Sequence, residues 1–256
     1  MSDDSLSLRK ADGVGWLTLN DPHRRNALSE AMCEAMIEAL SDLDADPGVR
    51  LCVITGAGGA AFASGANIGE FKADGVRRPE PPAISRIFTA LETFSKPSIA
   101  MIRGWCLGGG LALAMKADLR IADATAKFGV PAAKLGLAYP VDSVRDLVNL
   151  VGPAKAKLIL YTGENLDADK AFACGLVDEV VASEALTVRI DQLAAAIVRN
   201  APLSIVAAKA AIEHLTYGRH SEAEVANLVV RCFKSDDFSE GRAAFLEKRT
   251  PVFRGL

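Results

Sequence analysis

An α/β core followed by a helical region is the fold class that this sequence predicts. Short apolar runs rich in β-branched residues alternate with helix-period stretches as far as about residue 123. After about residue 140 the pattern becomes mainly helical. The chain has 256 residues, half of them apolar, which is enough for a sizeable buried core.

The elements follow in order. "GVGWLTLN" (13–20) has strand character and stops at the turn "NDPH". Ser29 is placed to cap a helix whose apolar stripe is Met32, Met36, Leu40 and Leu43, and "DADPG" (44–48) ends it. "VRLCVIT" (49–55) reads as a buried strand, and 56–70 as a long loop of small residues. "RPEPP" (78–82) is a stiff surface segment before a helix that ends near Ser95-Lys96-Pro97. "SIAMIRG" (98–104) is a second buried strand, "GGGLALAMKAD" (108–118) a helix and "LRIAD" (119–123) another strand. Beyond these come "VDSVRDLVNLVG", "PAKAKLILYTG" and "DADKAFACGLV" as short helical pieces. Two helices over 186–215 are broken by "NAP", and two more close the chain. The pattern sets a core at 1–185 against a helical cap or oligomerisation module at 186–256.

Composition excludes several function classes. A net charge of -3 and a pI near 5.7 give no overall attraction to nucleic acid or an anionic membrane. No run approaches a membrane span, and "MSDDSLSLRK" reads as neither a secretory signal nor a transit peptide. Five scattered cysteines without a CxxC pair read as reduced thiols of a cytoplasmic protein, and three histidines without an HxxxH pair give no metal site.

Two loops carry the chemistry. Gly108, Gly109 and Gly110 open a helix, where backbone N–H groups lack intrahelical partners and the helix dipole is positive. Such a start can hold a thioester oxygen as it becomes an oxyanion, although the same triplet would also serve close packing. "AFASGANIGE" (61–70) follows the preceding buried strand in the same way, so each loop can offer one N–H to a single oxygen.

Four segments resemble the crotonase superfamily, the enoyl-CoA hydratase and isomerase family. "NDPHRRNALS" (20–29) is similar to its N-x-P-x-x-x-N-A-L-S, and "AFASGANIGE" to its A-F-x-A-G-A-D-I-x-E. "IRGWCLGGGLALAMKADLRIA" (102–122) is similar to its glycine-triplet motif, and "SEGRAAFLEKRTPVF" (239–253) to its C-terminus. The resemblance implies a spiral of ββα turns with helices for trimerisation at the C-terminal end, as a trimer or a dimer of trimers. It implies an acyl-CoA thioester as partner, coenzyme A being part of the substrate rather than a separate cofactor. By position, the oxyanion donors are the N–H groups of Ala66 and Gly109. Ala66, Asn67, Ile68 and Gly69 would line the acyl-CoA site, with Asn67 where the family commonly has Asp. Arg24, Arg25 and Ala27 would meet the coenzyme's phosphates and adenine; without the resemblance, His23-Arg24-Arg25 reads as a solvated charge run.

The chain departs from the family at the acid–base positions. Hydration of an enoyl thioester needs one group to activate water and another to protonate Cα. The family's two glutamates fall on Ala112 and Ala132, and a third position, often Asp in isomerases, falls on Pro140. Tyr139 and Asp142 flank it and are the titratable candidates for proton transfer, Asp142 the better base if buried and Tyr139 the better donor. Asp142 would equally serve as a helix cap. The expectation is an acyl-CoA enzyme that stabilises an enolate without the hydratase glutamates. The alternatives are an acyl-CoA-binding protein without chemistry, an oligomeric scaffold, or a member performing isomerisation, decarboxylation or thioester hydrolysis.

Overall fold

The computed structural model describes residues 5–67, 69 and 81–256. It opens with a hairpin, β1 (Leu6–Ala11) against β2 (Val14–Leu19), joined through Asp12 and Gly13 at φ 51° and 79°. Two successive left-handed residues match the right-handed twist of a two-residue turn, and Asp-Gly is the pair that tolerates them. The pattern reading had a strand only at 13–20; β1 is an addition that the Asp-Gly turn signals. Helix α1 (Glu30–Ala45) follows, with Ser29 Oγ accepting the Met32 N–H at 3.1 Å and the predicted stripe buried.

Three turns of one unit come next. The first is β3 (Leu51–Gly56), β4 (Ala61–Ala63) and α2 (Ala83–Glu92). The second is β5 (Ser98–Ile102), β6 (Trp105–Leu107) and α3 (Gly109–Lys116). The third is β7 (Leu119–Asp123), β8 (Lys127–Gly129), a 3-10 turn over Pro131–Leu135 and α4 (Val141–Thr162). Then come β9 (Leu166–Asp167), α5 (Ala168–Ala173) and β10 (Glu179–Val181). The first strand of each unit enters a six-stranded sheet in the order β1-β2-β3-β5-β7-β10, parallel from β2 onward. The second enters a smaller sheet in the order β4-β6-β8-β9. Each unit therefore advances both sheets by one strand, which makes the chain a spiral. The three-residue strand β4 lies in the segment read as loop, and β6 and β8 in stretches to which the pattern assigns no element, because three residues are too few to show a period.

Helix α4 is bent at Gly152 (φ 75°) before Pro153, so the two helical pieces expected there are joined across a kink. Helices α6 (Leu186–Arg199), α7 (Pro202–Tyr217), α8 (Glu222–Lys234) and α9 (Asp236–Glu247) complete the chain. Leu186, Ile190 and Ala194 of α6 pack on one face of the large sheet, against Val14, Leu51, Val53, Ile99, Met101 and Ile121. The main core fills the space between the sheets and α1, α2 and α3, and includes the fully buried Phe62 and Phe128. Burying each of these rings contributes roughly 1.5–3 kcal/mol. On α7, α8 and α9, by contrast, Leu215, Phe233, Phe245 and Leu246 stand exposed. Among the described residues no single helix is long and apolar enough to cross a membrane.

Candidate active site

Two loops meet at the start of α3, and the chain's own hydrogen bonds aim them. Residues 24–28 run beside 64–67: Ser64 N–H donates to Arg25 O at 3.0 Å, Leu28 N–H to Gly65 O at 2.8 Å and Asn67 N–H to Leu28 O at 2.9 Å. Ser64 Oγ donates to Arg24 O at 3.2 Å. Arg25 and Asn26 are both left-handed, at φ 53° and 54°. The buried Asn26 amide donates to Ala57 O and Ala61 O at 3.0 and 2.8 Å and accepts from Asp21 N–H at 3.0 Å. Asparagine tolerates the left-handed region and fastens this loop to the β3–β4 connection. A trans peptide directs its C=O and N–H oppositely. With Gly65 C=O held by Leu28, the N–H of Ala66 points away from that bond.

Gly108, the N-cap of α3, has φ 49° and ψ -115°, a conformation that needs glycine, and its N–H donates to Gly129 O at 2.9 Å. Gly109 is the next residue, where the N–H has no intrahelical acceptor. A Cβ on Gly109 would lie 3.0 Å from Ala66 N and 3.1 Å from Ile84 Cδ1, and one on Gly65 would lie 3.7 Å from Gly109 N. The backbone around Ala66 and around Gly109 therefore lies close together, with glycines at the approach. No acidic side chain occupies the first turn of α3 to offset its positive end. Gly110 has another role: a Cβ there would overlap the Ala63 carbonyl, so α3 touches β4 backbone to backbone. The packing reading of the triplet therefore holds at Gly110.

The other sequence candidates are placed as follows. Ala112 is fully buried in α3, and Ala132 is half-buried in the 3-10 turn, packed against the core. Tyr139 is half-buried, and its hydroxyl donates to Gly108 O at 3.0 Å. Burial first, then the neighbouring Cys106 and Asp146, push this phenol well above its ordinary range, with Ser143 acting weakly the other way. It stays protonated and is no base at neutral pH. Asp142 corrects an expectation: its side chain is 71% exposed and pairs with Arg145 at 3.0 Å in the first turn of α4. Its place in the first turn of α4 suits the helix dipole. Arg24 and Arg25 are exposed, Ala27 and Asn67 half-buried and Gly69 exposed. Ile68 lies outside the described residues, as does 70–80.

Pattern reading missed Asn26, although its motif was quoted, and a buried ionic cluster behind α3. Lys116 Nζ is 2.8 Å from Asp146 Oδ2, an ion-pair contact without hydrogen-bond geometry, and also pairs with Glu92, which in turn holds Arg219. Burial raises the Asp146 carboxyl above its ordinary range, against the pull of Lys116. These residues come from α2, α3, α4 and the α7–α8 turn, so no local spacing reveals them.

Known proteins resemble this chain over nearly its whole length. The enoyl-CoA hydratase/isomerase family profile matches residues 9–255. A crotonyl-CoA hydratase of Syntrophomonas wolfei is 35% identical over 260 residues, covering 99% of each chain. A 2,3-dehydroadipyl-CoA hydratase of Escherichia coli is 33% identical, covering 98% of each. Among solved structures, an enoyl-CoA hydratase/carnithine racemase from Magnetospirillum magneticum superposes with a TM-score of 0.90 at 34% identity, over 100% of this chain and 97% of the other.

Proposed function

The chain belongs to the enoyl-CoA hydratase/isomerase family and is an enzyme of that family; from that premise we propose that it binds an acyl-CoA thioester, holds the thioester oxygen between the N–H groups of Ala66 and Gly109, and stabilises the enolate that forms there. The observation that carries this reading is the Gly109 Cβ position, 3.0 Å from Ala66 N. Two donors from separate loops converge there beside the positive end of α3. Preorganised donors of this kind stabilise a developing oxyanion because they need no reorganisation when charge appears. Arg24 and Arg25, exposed and in no ion pair among the described residues, would meet the coenzyme's phosphates. Ala27, Asn67, Ile68 and Gly69 would line the coenzyme arm. Coenzyme A enters as part of the substrate, with no separate cofactor.

The reaction does not use the two-glutamate route, since methyl groups at Ala112 and Ala132 transfer no protons. That observation favours a second, finer reading. Loss of CO2 from a β-carboxyacyl thioester asks least of the side chains. The C–C electron pair flows into the thioester carbonyl, CO2 departs, and the enolate rests on the two N–H groups without a base. Isomerisation and thioester hydrolysis each require a base or an activated water. The exposed apolar side chains of α7–α9 support a trimer or dimer of trimers, to be checked by light scattering. The free, mostly buried thiols suit a cytoplasmic location.

The test is incubation with crotonyl-, malonyl-, methylmalonyl- and 3-hydroxybutyryl-CoA, read by mass spectrometry. Conversion of a β-carboxyacyl ester with little crotonyl-CoA hydration is the expected outcome. Brisk hydration of crotonyl-CoA would overturn the claim about the alanines. Failure of every ester to react or to raise Tm would overturn the acyl-CoA reading itself.

A further inference from the structure

The carbonyl that Tyr139 grips belongs to the same peptide unit as a proposed oxyanion donor: the C=O of Gly108 and the N–H of Gly109 share one planar amide. Resting on the oxyanion reading above, we propose that Tyr139 is a positioning residue, whose hydroxyl clamps the Gly108–Gly109 peptide and strengthens its N–H as a donor to the thioester oxygen. The clamp acts in two ways. First, it fixes orientation. A peptide between two glycines rotates easily, and this one is held at its carbonyl by Ala112 N–H at 2.9 Å and by Tyr139 Oη at 3.0 Å. Second, a hydrogen bond to an amide oxygen draws electron density toward it and leaves the opposite N–H a better donor, the cooperativity of hydrogen-bond chains.

The site is asymmetric in this respect. At the other donor, Gly65 C=O is held by the Leu28 N–H, part of the backbone ladder along 24–28 and 64–67. At Gly108 a side chain supplies the second grip. Tyr139 is itself well set. Pro140 restricts the residue before it to extended conformations, and Gly136, at φ 68°, ends the preceding 3-10 turn. The ring packs on the main core. The same geometry gives the Tyr139 proton an acceptor within the protein, so the hydroxyl serves the amide rather than the substrate.

The test uses the folded oligomer and butyryl-CoA carrying 13C at the thioester carbonyl. Butyryl-CoA has no double bond to hydrate and no carboxylate to lose. Isotope-edited infrared spectroscopy reads the polarisation of that carbonyl, which a merely structural tyrosine would not alter. In wild type the band is expected below its position for free butyryl-CoA. In Tyr139→Phe the shift is expected to shrink by a third or more, while Kd changes less than about threefold. On whichever thioester turns over, kcat is expected to fall roughly tenfold, the scale of one hydrogen bond acting through an oxyanion donor. The pH profile is expected to keep its shape, because Tyr139 is not the group that transfers the proton. Incorporation of 3-fluorotyrosine at 139, a stronger donor of nearly equal size, is expected to move the band further than wild type and gives a second readout should Tyr139→Phe misfold. An equal band shift in wild type and both variants would overturn the clamp. Absence of any shift in wild type would instead overturn the oxyanion reading beneath it. Loss of a limb of the pH profile in Tyr139→Phe would replace the clamp with proton transfer by Tyr139.

Discussion

Replacing Gly109 by alanine adds one methyl group at the point where the loops of the proposed oxyanion site meet. That methyl would lie 3.0 Å from Ala66 N and 3.1 Å from Ile84 Cδ1, both tight but relieved by shifts of a few tenths of an ångström. Gly109 is helical and has no left-handed φ to defend, so the backbone accepts alanine. Helix propensity favours the change by up to about 0.5–1 kcal/mol, which offsets the crowding. Unfolding entropy of about 2.1 cal/mol/K per residue over 256 residues makes each kelvin of Tm worth roughly 0.5 kcal/mol. Net stability should therefore move Tm by no more than about 2 °C in either direction. Activity should respond differently. The methyl covers the Ala66 N–H, and removing one oxyanion donor costs about 2.7–4 kcal/mol in the transition state, or 10²–10³-fold in kcat. Gly109→Pro reaches the same outcome by deleting the other donor, at a helix position where proline is tolerated. The assay is turnover of the thioester identified by the panel, beside a thermal melt. A folded Gly109→Ala protein that keeps more than a third of wild-type kcat would refute the assignment of both N–H groups.

Three further predictions follow from charges and amides that the fold has buried or clipped. Asn26→Asp puts a carboxylate against the carbonyls of Ala57 and Ala61, and should lower stability by about 3 kcal/mol, a fall in Tm of about 6 °C, in a melt at neutral pH. Lys116→Met leaves Asp146 buried without its cation and should cost about 3–5 kcal/mol. The cost should shrink on acidification: a carboxyl whose pKa is higher folded than unfolded takes up protons on folding, so its contribution worsens as pH rises above its unfolded value. A urea melt at pH 5 showing as large a loss as at pH 8 would contradict that sign. Near the C-terminus, Arg249 and the Val252 N–H hold Glu240 down from 4.5 to about 2. A depressed carboxyl stabilises above its unfolded pKa and loses that contribution as pH falls, here between about 4.5 and about 2. Glu240→Gln should flatten this part of the acid unfolding curve, followed by hydrogen exchange of residues 248–256.

The sequence by itself determined the alternation of strands and helices, the cap at Ser29, the break at Gly152-Pro153 and the place of the glycine triplet. Each depends on contacts a few residues apart, so period and turn chemistry are enough to read them. The Asp12-Gly13 hairpin was equally legible, yet the polar-looking start hid β1. The family resemblance also pointed to residues 66–69 within the loop 61–70 and to the glycine triplet 108–110, because the chemistry needs small residues there. Tertiary structure decided the rest. Strands of three residues have no period, and β4, β6 and β8 exist because each pairs with a neighbour from another turn of the spiral. The separate roles of Gly109 and Gly110 depend on what a Cβ would meet across the chain: an amide nitrogen at one, a carbonyl at the other. Asp142 looked like a base and is exposed beside Arg145, because burial is a property of the packed surface and not of a helix start. Tyr139 looked like a proton donor to substrate, and its hydroxyl is spent on Gly108 O, 31 residues away in sequence. The glycines of the two loops were legible in the sequence; the hydrogen bonds that hold those loops together are ones that only the folded chain brings within reach.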